Sequence, residues 1–346
     1  MKRHQPAGNR RQAVNPLTLY PLILMLVATV SILVPPSGSG ISAAEMPSVE
    51  VGLPQDGLFG LGGQYIVDKG LDRKNGFVMK PRWAGVPEIQ RLLGIQAISV
   101  GLMTPEASLR ANVKGVPIRL IQPYQTSHMF VLVHKESPYK TADELKGKAV
   151  ALTSEVTTLY NLFDFIMRKR GVNIEKDLQL KKLGAPPAII AVLEKKDVEA
   201  ALIWEAHVSR LLGTGKYRVL MGLRDELSRL LNTKVLPVIW LAALEPWVKA
   251  NGDMVPRLRA AWTEAYRGVQ DDEGHFRKYA KQFFGLERPE DLSLGWQRTK
   301  GFLLPADFTW PDASSLKAAK GFLREGVEMG MFSKEAAGFI DGMFVP

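Results

Sequence analysis

The sequence predicts an α/β fold with two lobes, each built on a parallel sheet. Short runs of β-branched and apolar residues alternate with helical patterns as far as residue 244, which is typical of βα units. Beyond that residue the pattern is helical only. A chain of 346 residues also exceeds the usual size of a single hydrophobic core, so two lobes are expected.

The elements of the first lobe alternate in order along the chain. The predicted strands are 49–53, 77–82, 97–103 and 118–123, and the predicted helices are 61–71, 87–93 and 105–112. A second series predicts a smaller lobe, with strands 130–134, 149–152, 178–183, 201–204 and 217–221, and with helices 142–145, 157–170, 188–194 and 206–212.

The last part of the chain reads as a returning strand and a helical tail. The strand is 235–244, and the helices are 246–250, 255–269, 276–284, 289–303, 313–328 and 334–343. Such a tail must pack on an existing sheet. The predicted organisation is therefore a first lobe from 45–125, a second lobe from 126–234, and a return crossover with helices that complete the first lobe from 235–346.

Residues 1–44 read as a cleavable signal peptide. Four basic residues precede an uncharged run at 17–34, and small residues at 42–44 precede the predicted cleavage before Glu45. An uncleaved anchor is the alternative, since 18 apolar residues almost span a bilayer. Pro21 weakens the run and favours cleavage. A periplasmic location is expected, and two consecutive arginines leave both the general secretory and the twin-arginine route open.

The composition excludes several kinds of site. The chain has no cysteine, so it can carry no disulfide, no thiolate metal site and no lipid on an N-terminal cysteine. Removal of the four basic leader residues lowers the formal net charge from +10 to +6, without a polybasic block that would indicate nucleic acid. None of the five histidines pairs at metal-ligand spacing, so neither a metal nor a cofactor is expected.

Enzyme signatures are missing from the sequence. It contains no H-E-x-x-H motif, no Walker A loop, no cysteine nucleophile and, outside the leader, no G-x-S-x-G elbow. Asp56 with Glu205 is the single acid/base pair that the predicted layout brings into consideration. A binding protein without catalytic activity is therefore the prediction.

Two segments carry a family resemblance. Residues 137–151, SPYKTADELKGKAVA, combine a capping box at Thr141 and Glu144 with a glycine exit at Gly147. This segment resembles the start of the second lobe in type II periplasmic binding proteins, and residues 198–205, VEAALIWE, resemble a segment of nitrate/sulfonate/taurine ABC-transporter binding proteins. The resemblance implies a type II fold with two hinge crossovers and a monomer that delivers a small anion to an inner-membrane permease.

In such a fold, ligands bind outside the carboxyl ends of the strands, which selects five loops. In the first, residues 55–63, the glycines do not fit a dinucleotide turn; either the loop is a flexible turn or Asp56, Gly57 and Phe59 contact the ligand. In the second loop, Thr104 is either a helix cap or a ligand contact. In the third, at the first crossover, Tyr124 is expected to line the cleft.

The fourth and fifth loops belong to the second lobe. Ser154 and Thr157 precede its longest helix, where free N–H groups favour an oxyanion, although Ser154 also suits a simple N-cap. Trp204 either fills the core or lines the cleft, and Glu205 is expected to accept hydrogen bonds from an amine or a ring N–H. A heteroaromatic ligand resembling a thiamine-precursor pyrimidine, or a sensor role, remain the alternatives to anion uptake.

Overall fold

The computed structural model describes residues 46–205 and 207–346, so the predicted signal peptide lies outside the described residues. Five strands form the first sheet: β1 Ser48–Pro54, β2 Val78–Ala84, β3 Val100–Met103, β4 Ile118–Thr126 and β10 Pro237–Leu244. Their spatial order is β2-β1-β3-β10-β4. All eight residues of β10 are buried, as expected for a strand inside a sheet that is covered on both faces.

The second sheet also has five strands in the described chain: β5 Met129–His134, β6 Ala149–Leu152, β7 Gln179–Lys182, β8 Ala200–Trp204 and β9 Tyr217–Gly222. Their order is β7-β6-β8-β5-β9. Both sheets are mixed rather than parallel, because β10 is antiparallel to β3 and β4, and β5 is antiparallel to β8 and β9. The strands that follow a crossover enter the sheet from the opposite end, which reverses their direction.

Helices cover both sheets. Those in the first half are α1 Gly57–Asp68, α2 Leu71–Lys74, α3 Val86–Gly94, α4 Pro105–Val113, α5 Thr158–Lys169 and α6 Ile174–Asp177. The others are α7 Pro186–Glu194, α8 His207–Gly213, α9 Leu223–Leu230, α10 Glu245–Ala250, α11 Met254–Asp271, α12 Glu273–Phe284, α13 Pro289–Thr299 and α14 Ala313–Glu328. Short 3-10 turns occur at Ala142–Leu145, Lys300–Phe302 and Lys334–Phe339. None of the described helices is long and apolar enough to cross a membrane.

The architecture confirms the predicted two-lobed α/β fold with two crossovers and a helical tail. The first crossover runs from β4 to β5, and the second runs from β9 through α9 to β10. Helix α9 was not predicted. Its sequence, LRDELSRL, is short and strongly charged, yet Leu223 and Leu227 are buried and the helix packs against α5.

The helical tail, which the sequence predicts to complete the first lobe, contacts helices of both lobes. Helices α11 and α12 pack on α1 of the first lobe. Helix α13 packs on α8 of the second, and Phe322 of α14 meets Phe165 of α5 edge to face, with 5.0 Å between ring centroids. The tail therefore joins the two lobes at a second place, away from the crossovers.

Candidate functional site in the cleft between the lobes

The strand registers bring the carboxyl ends of both sheets towards each other. Strand β4 ends at Thr126 and β5 begins at Met129, which pairs with Trp204, the last residue of β8. On the return path Pro237, the first residue of β10, pairs with Thr126. Because both crossovers join these edges, the loops after β1, β3, β6 and β8 converge on one cleft. This is the position at which open α/β sheets bind ligands.

Contacts already cross this cleft from α4 to α5. The Oε1 atom of Glu106 accepts a hydrogen bond from Thr104 Oγ1 at 2.6 Å and another from the hydroxyl of Thr158 in the second lobe. Arg110 donates to Asn161 Oδ1 at 2.7 Å. Glu106 is 1% exposed, and no described residue hydrogen-bonds its Oε2 atom. A buried carboxylate with one unpaired oxygen therefore lies at the junction of the lobes.

Thr104 lies at the predicted N-cap position of α4, but its hydroxyl does not cap the helix. The side chain binds Glu106 instead and is 2% exposed. A direct contact of Thr104 with a ligand stays a prediction.

Asp56 and Gly57 lie at the start of α1, which begins four residues earlier than predicted. Gly57 has a φ of +74°, a conformation that favours glycine. The Asp56 side chain is exposed and makes no capping bond, yet desolvation raises the pKa of its carboxyl group. This combination is expected for a carboxyl group in a recess that water enters.

The glycines of the first loop belong to the helix itself and not to a flexible turn. A Cβ atom on Gly60 would lie 2.2 Å from the carbonyl oxygen of Pro54, and one on Gly63 would lie 2.5 Å from Leu53. The glycines therefore let α1 lie directly against β1. The prediction of a flexible turn at 55–63 is wrong for this reason.

Phe59 of α1 and Tyr124 of β4 lie in the core of the first lobe. Phe59 is 2% exposed and stacks on Trp262 with 4.2 Å between centroids, and Tyr124 is fully buried, edge to face with both rings. The Tyr124 hydroxyl has no hydrogen-bond partner among the described residues, and burial raises its pKa. The sequence predicts that Tyr124 lines the cleft. It is instead covered by α1, because Gly62 lets the helix approach the ring.

The start of α5 carries Ser154 and Thr157. Thr157, not Ser154, is the N-cap: its Oγ1 accepts from the Tyr160 N–H at 3.4 Å and donates to the Ser154 carbonyl oxygen at 2.8 Å. The alternative that Ser154 caps this helix is therefore wrong, and ligand contact by its half-buried side chain stays a prediction. The Glu155 carboxylate pairs with Lys182 at 3.3 Å, which reduces its repulsion of an anion at this site.

The carboxylate of Glu205 already accepts hydrogen bonds from other residues of the protein. Its side chain is 1% exposed and accepts from the backbone N–H and hydroxyl of Ser209, at 3.0 and 2.7 Å, and from Arg298 Nε at 2.5 Å. These donors occupy the carboxylate that was expected to bind a ligand amine. Trp204 is half-buried, and its ring meets His207 edge to face at 5.9 Å. A ligand contact therefore fits Trp204 better than Glu205.

Arg298 and two histidines contact Glu205 or Trp204 and were not among the residues predicted from the sequence. His128, in the first crossover, accepts the Glu205 N–H on its carbonyl oxygen at 3.0 Å, and its Nδ1 lies 2.9 Å from Gln125 Nε2. Burial lowers the pKa of His128 to about 4, and the same cause lowers that of His207 to about 4. Both rings are neutral at pH 7. Arg298 follows Glu205 by 93 residues, and only the packing of α13 on α8 brings the two together.

Metal binding has no support among the residues described, since no three histidine, aspartate or glutamate side chains there cluster closely enough to hold an ion. Anion binding has support from the helix termini. Neither α1 nor α5 carries an acidic residue in its first turn, although Asp56 is the N-cap residue of α1 and Glu106 accepts a hydrogen bond from Thr158, the first residue of α5. Free N–H groups and the helix dipole favour negative charge at such positions.

The chain resembles known binding proteins in sequence and in structure. A putative aliphatic sulfonates-binding protein of Escherichia coli K12 is 27% identical over 181 residues, which are 52% of this chain and 53% of that protein. The chain thus spans about half the length of this curated relative.

Solved structures show the same fold at low identity. The periplasmic aliphatic sulphonate binding protein SsuA from E. coli covers 86% of this chain and 97% of its own, with a TM-score of 0.68 and 19% identity. The alkanesulfonate-binding protein SsuA from Xanthomonas axonopodis pv. citri, bound to MOPS, has a TM-score of 0.69, 19% identity and coverages of 88% and 99%. The periplasmic nitrate-binding protein NrtA from Synechocystis PCC 6803 has a TM-score of 0.63, 14% identity and coverages of 87% and 86%.

The family assignment rests on a longer match. Residues 71–274 match the family described as ABC transporter, phosphonate, periplasmic substrate-binding protein. These residues are more than half of the chain and include most of both sheets. The match confirms the resemblance predicted from residues 137–151 and 198–205. The chain belongs to the family of periplasmic substrate-binding proteins of phosphonate ABC transporters.

Proposed function

We propose that this protein captures a small organic anion, a phosphonate or a sulfonate, between its two lobes outside the cytoplasm and delivers it to an ABC permease. The observation that carries the proposal is the start of α5, which follows β6, contacts α4 of the first lobe and has no acidic residue in its first turn. This helix start offers unpaired N–H groups to an oxyanion. The family match and the names of the relatives support the transport role.

The lobes in this proposal are those of the sequence analysis. The first comprises 45–125 with the return crossover and helices of 235–346, and the second comprises 126–234. Cleavage before Glu45 would release the protein as a monomer into the periplasm. The mature N-terminus, read by intact-mass measurement, tests this part.

Closure is proposed to act through the contacts that cross the cleft. The hydrogen bonds from Thr158 to Glu106 and from Arg110 to Asn161 join α4 and α5 when the lobes are together. A ligand that touches both lobes only in this arrangement shifts the population towards it. The ligand's anionic group would lie at the start of α5, near Ser154, Thr157 and their N–H groups.

Calorimetric titration against a panel of ligands tests the proposal. The panel holds alkylphosphonates, alkanesulfonates, taurine, nitrate, bicarbonate and pyrimidines. For a phosphonate or sulfonate that binds, Ser154→Ala is expected to weaken affinity roughly tenfold, since a hydrogen bond to a charged group contributes about 1.5–3 kcal/mol. The matched control is Ser293→Ala, on exposed surface of α13. Absence of binding by every anion in the panel would contradict the proposal.

A ring-shaped ligand is the second candidate, favoured by the half-buried Trp204 beside the neutral ring of His207. An aromatic ligand would stack on Trp204, so Trp204→Ala would abolish its binding while Ser154→Ala would have little effect. The opposite pattern identifies an anion held by α5. The two substitutions measured on one ligand therefore separate the candidates.

A further inference from the structure

A cavity of about 320 Å³ lies beside the second crossover, between the second sheet and the tail. None of the nine predicted site residues lines it. Its walls come from β5, from the start of α9, and from α13 with the 3-10 turn that follows it. The volume falls at the lower end of the range for small-molecule sites.

Two arginines line this cavity, and each lies over an aromatic ring that also lines it. The guanidinium carbon of Arg224 lies 5.1 Å from the centroid of Phe302, and that of Arg298 lies 5.0 Å from the centroid of Phe130. The two rings are edge to face at 5.7 Å. Stacking restrains the plane of each guanidinium and leaves its N–H edges free to donate.

The hydrogen bonds leave several of these donors unused. Arg298 gives its Nε to Glu205, and Arg224 gives its Nε to Asp225 at 2.9 Å and its Nη1 to the carbonyl oxygen of Gly301 at 2.8 Å. Within the described chain, neither terminal nitrogen of Arg298 has a hydrogen bond, nor does Nη2 of Arg224. The free pair on Arg298 has the geometry that holds an oxyanion through two parallel bonds.

Two carboxylates bear on the charge of the cavity. Glu205 lies behind Arg298 and is already satisfied by Ser209. Asp225 lines the cavity, and its side chain is 75% exposed, so water screens its charge. It still competes with a bound anion for the donors of Arg224. The cavity is thus lined by two arginines, each of which pairs with one carboxylate: Arg298 with the buried Glu205 outside the cavity, and Arg224 with the exposed Asp225 at its wall.

We propose that this cavity is a second binding site, separate from the cleft, for a small oxyanion such as a phosphate or a carboxylate. The terminal edge of Arg298 holds two oxygens, and Arg224 donates to a third. Because Arg298 belongs to the tail and Arg224 to the second crossover, a bound oxyanion ties these two segments together. A bound oxyanion then restricts the motion of the second crossover, through which the chain returns to the first lobe.

Titration calorimetry of the exported chain with inorganic phosphate and, separately, with citrate tests the proposal. At least one probe is expected to bind, and which one binds distinguishes phosphate from carboxylate ligands. Arg224→Gln is expected to weaken binding about tenfold, as for loss of one charge-assisted donor. Asp225→Asn is expected to strengthen binding severalfold, because it removes the competing charge, and a misfolded variant would not do so.

The matched control is Arg229→Gln, on the same helix, where the arginine pairs with Glu226 and does not line the cavity. It is expected to bind the probe as the unchanged protein does. Failure of both probes to bind would overturn the proposal. Binding with the same affinity in the unchanged protein, in Arg224→Gln and in Asp225→Asn would also overturn it, since the probe would then occupy the cleft.

Discussion

Replacement of Arg298 by methionine tests how the tail supports the cleft. Glu205, with a side chain only 1% exposed, would lose the Nε donor at 2.5 Å and keep the two donors of Ser209. Breaking a buried ion pair by removing one partner costs about 3–5 kcal/mol, because the remaining charge is uncompensated. Since Ser209 still stabilises the carboxylate and Arg298 is partly open to water, we expect a loss near the lower limit.

The assay is urea unfolding of the exported chain, followed by tryptophan fluorescence. Glu205→Gln combined with Arg298→Met removes both charges, and we expect it to recover about 2 kcal/mol relative to Arg298→Met alone, as coupled neighbours do. Arg277→Met is the matched control, because its exposed pair with Glu273 is expected to contribute less than about 1 kcal/mol. A loss for Arg298→Met no larger than that of the control would refute the reasoning.

Three further changes test other parts of the structure. Gly62→Ala puts a methyl group 2.0 Å from the buried hydroxyl of Tyr124. It is expected to lower the free energy of unfolding by about 1–3 kcal/mol. The control, Gly321→Ala in an open part of α14, should not lower it. His128 has a pKa of about 4 in the folded protein against an ordinary value of 6.5. Its contribution to stability is therefore complete above pH 6.5 and falls as the pH drops towards 4. In urea unfolding across this window, the free energy of unfolding of His128→Gln should lose this dependence on pH. Thr158→Val removes the donor to Glu106 across the cleft. The ligand-free variant is expected to have a larger radius of gyration by X-ray scattering. An unchanged radius would show that this hydrogen bond does not hold the lobes together.

Much of the fold follows from the sequence because its strands are short, apolar and separated by clear turn signals. The strand predicted at 149–152 is observed at those residues, and the returning strand predicted at 235–244 is β10. Helix α1 was placed too late because glycines lower helix propensity, while here they permit close packing. Helix α9 was missed because only two of its eight residues are buried.

The candidate site was predictable in position but not in the state of its side chains. Strand ends locate Asp56, Ser154 and Trp204 at the cleft, since that rule depends only on topology. Arg298, the partner of Glu205, follows it by 93 residues, and no local sequence pattern predicts a pair at that separation. Tyr124 looked like a lining residue because its neighbours are polar, and only the packing of α1 shows that it is covered.

The order of strands in the first sheet also constrains when this protein can fold. Strand β10 lies between β3 and β4, so β4 joins the rest of the first sheet only through a strand that begins more than 100 residues beyond it. Such distant pairing is slow, because a long loop must close first. The first sheet therefore stays incomplete until β10 has been made, although β1 to β4 all precede the second lobe in the sequence.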